Sequence, residues 1–318
     1  MKTAVIIPTY KRPFLAERVL RTLTRCALPP DVEICVVENG PADGVEGLCR
    51  EFSVGNRVRY LYSPMAGRSK AVNFAIGATD ADFLIFFDDD VTFAQDMIET
   101  YVDAARRYGP GYIFGGPLVP DAETRCPSHL IPYLPRSATG WSLGDREIEI
   151  PASQFEYFFG ANWAVFRSDL MTSGLFSEDL GVGAAKNSPM GEETELQHRL
   201  IDASVKAIYL PRAIIHHLVP QECYTMKWAW RRTFREGVTD WMLVHRSKPI
   251  RRGVFGIPLW IIRALATQET KVILSHLPGS SMDRRAEIKI REAYLAGLLY
   301  GAWSDRGQAR PSIAAPQG

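Results

Sequence analysis

Three consecutive carboxylates, Asp88, Asp89 and Asp90, close the apolar run Phe83-Leu84-Ile85-Phe86-Phe87. Adjacent carboxylates at a strand end repel one another unless a cation or hydrogen-bond donors compensate them, so a divalent metal is their natural partner. Magnesium and manganese prefer oxygen ligands and share their coordination with substrate phosphates, which points to a phosphorylated substrate. Other polar groups follow earlier apolar runs. Pro8, Thr9, Tyr10 and Arg12 follow the first, and can recognise a nucleobase or a phosphate. Glu38 and Asn39 follow the second and can hydrogen-bond a base or ribose. After the third, Gly67-Arg68-Ser69-Lys70 precedes Asn73 at a helix start, a suitable place for diphosphate oxygens. Taken singly, each segment also reads as an ordinary solvated loop or helix start.

These groups need a frame that gathers strand ends. Residues 1–115 alternate β-rich runs at 4–7, 32–37, 58–62, 83–87 and 112–114 with helical patterns, the signature of βαβ units and a parallel sheet. Leu15, Val19, Leu20 and Leu23 share one face of a helix started by Pro13, and Met97, Ile98, Tyr101, Val102 and Ala105 stripe a second over 94–108. Asp43 reads as the N-cap of a helix between the second and third strands. Ligands of open sheets bind beyond the carboxyl ends of the strands, where all these polar groups fall. Residues 116–150 hold Pro117, Pro120, Pro127, Pro132 and Pro135 and read as a long loop or lid, with Tyr133 and Trp141 as candidate sugar-stacking rings. A helix is expected after Gly191, with Leu196 and Leu200 on its buried face and Glu192 and Glu193 in its first turn.

Composition narrows the class. With 318 residues, 46% hydrophobic and 23% charged, the chain can bury a substantial core, and its net charge of +1 argues against nucleic acid as the main partner. No GxGxxG or GxxxxGK[ST] turn occurs, so the dinucleotide and P-loop readings fail. Five scattered cysteines without a CxxC pair, and no leader pattern, lead to the expectation of a reduced cytoplasmic protein.

The segments Ala4-Val5-Ile6-Ile7-Pro8-Thr9-Tyr10-Lys11-Arg12, Val36-Val37-Glu38-Asn39-Gly40, Gly67-Arg68-Ser69-Lys70-Ala71-Val72-Asn73 and Phe87-Asp88-Asp89-Asp90-Val91, in this order, resemble those of a family 2 glycosyltransferase. The resemblance continues through Phe159-Gly160-Ala161-Asn162-Trp163, Gly174-Leu175-Phe176-Ser177-Glu178-Asp179-Leu180-Gly181 and Gly191-Glu192-Glu193-Thr194-Glu195-Leu196 with Arg199, covering about residues 3–240. It implies an α/β GT-A fold, a mostly parallel sheet flanked by helices. It also implies inverting transfer of a sugar from a nucleoside diphosphate-sugar, UDP-sugar favoured, to a saccharide or lipid-linked acceptor. The aspartate-rich motif carries over to Asp88 and Asp89 facing ribose and diphosphate, and to Asp90 as ligand of Mn2+ or Mg2+. The aspartate usual at the end of the second strand is replaced by Glu38. The catalytic base carries over to Glu193, expected to be ionised at neutral pH near its ordinary pKa of about 4.3. The histidine of a His-x-Val-Pro pattern falls on His217, which would complete the metal shell or touch the diphosphate.

The expected organisation is a catalytic domain over 1–223, divided at 115/116 into nucleotide-binding and acceptor halves, a helical extension over 224–304 and a flexible tail over 305–318. In the extension, Trp228, Trp230, Trp241 and Trp260 interleave with Arg231, Arg232, Arg235, Arg251 and Arg252, which suits either peripheral contact with an anionic membrane or packing of an appendage. An oligomer is compatible with this sequence. Two other functions fit acidic metal ligands on such a fold, a nucleotidyltransferase making a nucleotide-sugar and a non-catalytic nucleotide-sugar-binding module.

Overall fold

A computed structural model describes residues 1–53, 57–181, 190–246, 252–275 and 281–305. Arg251 and the tail beyond Asp305 lie outside the described residues. The chain forms two compact units, one of residues 1–122, 136–184 and 191–219, the other of residues 123–135, 185–190 and 220–318.

The first unit opens with β1 (Thr3–Thr9), α1 (Pro13–Leu23), β2 (Val32–Asn39), α2 (Val45–Glu51), β3 (Val58–Ser63), α3 (Arg68–Ala78) and β4 (Phe83–Phe86). It continues with β5 (Val91–Phe93), α4 (Met97–Tyr108), β6 (Tyr112–Gly115), β7 (Leu118–Asp121), α5 (Arg136–Thr139), β8 (Ile148–Ile150) and β9 (Trp163–Phe166). It ends with α6 (Arg167–Ser173), α7 (Glu192–Asp202), β10 (Lys206–Tyr209) and β11 (Ile215–Leu218). Eight strands form the main sheet in the order β3-β2-β1-β4-β9-β6-β10-β8. Its β1–β2, β1–β4, β2–β3 and β6–β10 pairs are parallel, while β9 runs antiparallel to β4 and β6, and β8 to β10.

Every residue of β1 is buried because both sheet faces are covered. Side-chain alternation divides the core accordingly. Val5, Ile7, Phe83 and Ile85 join α1, α2 and α4 on one face, while Ala4, Ile6, Leu84 and Phe86 join α3 and α7 on the other. Each fully buried side chain of this size contributes about 1.5–3 kcal/mol. A smaller sheet, β5-β11-β7, sets His217 opposite Val91, and the Leu218 N–H donates to the Asp90 carbonyl at 2.9 Å. That register brings a late histidine beside the acidic triplet.

Three local expectations differ from the structure. The helix expected over 94–108 starts at Met97. Gly44, at φ +88°, and not Asp43, takes the N-cap position of α2, while the Asp43 backbone N–H donates to Glu38. Residues 116–150 are not one loop: β7 pairs with β11, β8 with β10, and Leu118 bridges Trp141. Long-range pairing supplies the order that the local pattern lacks.

The second unit contains α8 (Met226–Asp240), a π-helical turn over Trp241–His245, a hairpin of β12 (Gly253–Val254) and β13 (Ile257–Pro258), α9 (Leu259–Ser275) and α10 (Met282–Ser304). Its core gathers Trp241, Ile257, Ile261, Leu295, Leu298 and Ala302, so Trp241 is a packing residue rather than part of an exposed aromatic surface. Among the described residues no helix is long and apolar enough to cross a membrane.

Candidate active site

The acidic triplet follows β4, and each of its carboxylates has a different partner. Asp88 accepts from Arg68 Nε and Nη2 at 3.0 and 2.8 Å through one oxygen. Asp89, fully buried, accepts from Thr9 Oγ1 at 2.7 Å and pairs with Arg12 Nη2 at 2.7 Å. Asp90 holds its Oδ2 3.4 Å from Arg12 Nη1 and its Oδ1 3.6 Å from His217 Nε2. Burial pushes the Asp89 carboxyl up to about 7, against the pull of Arg12. Burial also raises Asp90, opposed by His217.

Asp90 and His217 fit a divalent cation. Ligands about 2.1 Å from one ion at right angles stand about 3 Å apart, close to the observed separation. Asp90 Oδ1 and His217 Nδ1 are buried without a hydrogen-bond partner, a costly state that an ion on Asp90 and His217 Nε2 would relieve on the carboxylate side. Among the described residues no three or more His, Cys, Asp or Glu are arranged to hold a metal ion by themselves, so this pair suits an ion that completes its coordination with phosphate and water.

A second charged cluster surrounds Arg68, whose side chain is 15% exposed. Its Nη1 donates to Glu192 Oε1 at 3.2 Å and its Nη2 to the Gly160 carbonyl at 3.0 Å. Burial opposes the guanidinium's charge, but Asp88, Glu192 and Glu193 outweigh it and hold the pKa above the ordinary arginine value. Glu193 sits beside this cluster on the first turn of α7. Burial, reinforced by the charge of Glu192 and opposed by Arg68, pushes its carboxyl up to about 8. The expectation of an ordinary, ionised glutamate is thereby corrected: the site desolvates it and puts a second carboxylate next to it.

Two glycines make this crowding possible, and nothing local in the sequence assigns them that task. A Cβ on Gly160 would lie 3.0 Å from Glu193 Cδ and 3.1 Å from Arg68 Nη2. Gly181 has φ +95°, and a Cβ there would lie 2.7 Å from Glu192 Cδ.

Most of the remaining candidates make hydrogen bonds or packing contacts within the protein. Glu38 is 1% exposed, and its carboxylate accepts from the Asp43 N–H and from Tyr60 Oη, both at 2.6 Å. Asn39 donates to the Thr9 carbonyl at 2.7 Å and accepts from the Gly67 N–H at 3.2 Å, joining two loops. Asn73 clasps the Phe176 backbone through both its amide atoms, at 2.9 and 3.1 Å. Pro8 is buried at the end of β1, whereas Tyr10 is 41% exposed and packs over Gly40, where a Cβ would stand 2.6 Å from its ring. Trp141, half-buried, meets Phe158, Phe159 and Tyr209 edge to face with centroids 6.3, 6.2 and 5.5 Å apart, so packing holds its ring in place. Tyr133 belongs to the second unit.

Residues 4–170 match the family model of glycosyl transferase family 2. The chain is 26% identical over 303 residues to the succinoglycan biosynthesis protein ExoM of Rhizobium meliloti, covering 92% of this chain and 90% of that protein. The fold is similar to that of the mannosyltransferase PcManGT of Pyrobaculum calidifontis, solved with GDP-Man and Mn2+, with a TM-score of 0.58, 17% identity and coverage of 95% and 87% of the two chains. It is also similar to residues 1–349 of S. aureus TarS, solved with UDP-GlcNAc, with a TM-score of 0.52, 12% identity and coverage of 96% and 92%. These likenesses give the α/β fold as GT-A. The matched stretch holds the first strand ends, Arg68 and the acidic triplet and spans more than half of the chain, which belongs to glycosyl transferase family 2 and is a glycosyltransferase.

Proposed function

We propose that the chain is a metal-dependent inverting transferase that moves a sugar from a nucleoside diphosphate-sugar to a hydroxyl of a saccharide or lipid-linked acceptor. The observation that carries this reading is the approach of Asp90 Oδ1 to His217 Nε2, 3.6 Å apart, with the Arg12 guanidinium on the other oxygen of Asp90. Asp90 and His217 would hold Mn2+ or Mg2+. When bound, such a cation supplies positive charge to the diphosphate leaving group. Thr9, Tyr10 and Arg12 face the donor from the end of β1, and Asp88 and Asp89 from the end of β4. Pro8, Glu38, Asn39 and Asn73 shape and brace that surface.

Glu193 is the general base. As the acceptor oxygen attacks the anomeric carbon, Glu193 takes the hydroxyl proton, the bond to the diphosphate breaks on the opposite face, and the nucleoside diphosphate leaves with the bonding pair. Arg68 supports the leaving phosphate and tempers the charge of Glu193 once it ionises. A uridine donor is favoured by the resemblance, and because one structural neighbour is described with a UDP-sugar and another with a GDP-sugar, the assay includes both. A polysaccharide acceptor accords with ExoM, named for succinoglycan biosynthesis. The experiment is product analysis: nucleoside diphosphate released from a nucleotide-sugar supports the reading, and pyrophosphate formed from a nucleoside triphosphate overturns it.

We also place the second unit at the surface of an anionic membrane, on the cytoplasmic side. Phe255, 82% exposed at the tip of the β12–β13 hairpin, and Trp260, 46% exposed in the first turn of α9, support this placement. Lys and Arg outnumber Asp and Glu across residues 220–305.

A further inference from the structure

Arg12 is a cation already seated at the acidic triplet. It follows Lys11, which has φ +54°, and stands at the N-cap of α1. Its guanidinium spans two carboxylates, with Nη2 2.7 Å from Asp89 Oδ1 and Nη1 3.4 Å from Asp90 Oδ2. The second of these belongs to the carboxylate whose other oxygen faces His217. Arg12 is 45% exposed while Asp89 is fully buried, so it compensates a buried charge from the solvent side. Arg68, the other guanidinium at the triplet, donates to Asp88, Glu192 and the Gly160 carbonyl and not to Asp90.

A dication shared by Asp90 and His217 would meet this positive charge on the same carboxylate. Like charges at such range oppose each other, on a scale of about 1–3 log units for neighbouring titrating groups. A diphosphate arriving with the metal offers the guanidinium a second anion of matching bidentate geometry.

We propose that Arg12 is a tethered counter-cation that opposes the divalent metal at Asp90 and His217 until a nucleoside diphosphate enters, so that metal and donor bind as a unit. Arg12 thus acts through Asp90 as a positioning residue, in addition to facing the donor. The inference rests on the metal reading of Asp90 and His217.

The test follows Mn2+ binding through the electron paramagnetic resonance signal of the free ion, with and without UDP or GDP, in the full chain and in Arg12→Gln and Arg12→Lys. The unaltered chain is expected to bind Mn2+ weakly alone and at least about tenfold more tightly with nucleoside diphosphate. By reciprocity, Mn2+ tightens the nucleotide by the same factor. Arg12→Gln is expected to tighten nucleotide-free Mn2+ binding about tenfold or more and to lose most of that coupling, while Arg12→Lys stays close to the unaltered chain. Nucleotide-free binding that is unchanged or weaker in Arg12→Gln, with an unaltered melting curve, overturns the proposal; Arg12→Met replaces this variant if it fails to fold. Absence of Mn2+ binding to the unaltered chain even with nucleotide, together with indifference to Asp90→Asn, overturns the metal reading itself.

Discussion

Glu193 carries the sharpest consequence of the site at the scale of one residue. The folded chain keeps its proton up to about pH 8, whereas an unfolded chain releases it near the ordinary glutamate value of about 4.3. The stability this contributes is complete below the unfolded value and is lost as the pH rises to about 8, because over that interval only the folded state holds the proton. Urea titrations across this interval are expected to show stability falling with pH in the unaltered chain and a flatter course in Glu193→Gln. As a base, Glu193 acts only when ionised, so kcat/KM is expected to rise with pH and level off above about 8. A kcat/KM profile with its acid limb near the ordinary glutamate value contradicts this environment. The acidic pair before Leu196 marks Glu193 as a candidate base in the sequence. Its proton affinity is not legible there, because burial and the approach of Gly160 and Arg68 come only with folding.

Elements position these groups, and here the sequence was legible unevenly. The strand ends carrying Thr9, Glu38 and Asp88 emerge from simple β-rich runs, and β1, β2 and β4 fall where those runs predict. The placement of His217 was beyond local pattern, since it depends on β11 pairing with β5 across more than a hundred residues. The partners of Glu38 were equally hidden: only the parallel β2–β3 register sets its carboxylate against Tyr60. Gly181 provides a test at this scale. Gly181 combines φ +95° with a contact that leaves no room for a methyl group beside Glu192. Gly181→Ala is expected to lower stability by about 1–3 kcal/mol in urea unfolding and to lower kcat by displacing the Glu192–Arg68 pair. Unchanged stability and kcat would show that the backbone at Gly181 relaxes without disturbing that pair.

At the scale of the whole molecule, the chain divides its charge and its exposed aromatic residues unequally. The acidic triplet and the Glu192–Glu193 pair belong to the first unit, while the second has a basic excess and the exposed Phe255 and Trp260. Co-sedimentation with vesicles of anionic lipid is expected for the full chain, weakened by salt and by Phe255→Ser with Trp260→Ser, and absent with neutral vesicles. Equal binding to both lipid types, or to neither, rejects the membrane placement. In the proposed reaction the metal pair and Glu193 together transfer a sugar. Its most direct measurement is nucleoside diphosphate release from UDP- and GDP-sugars with a saccharide acceptor, in Mn2+ and after chelation, by the unaltered chain and by Glu193→Gln. Release is expected to require Mn2+ and to fall about 10²–10⁴-fold in Glu193→Gln while the donor still binds. Release that persists without a divalent metal, or that Glu193→Gln leaves unchanged, contradicts this mechanism.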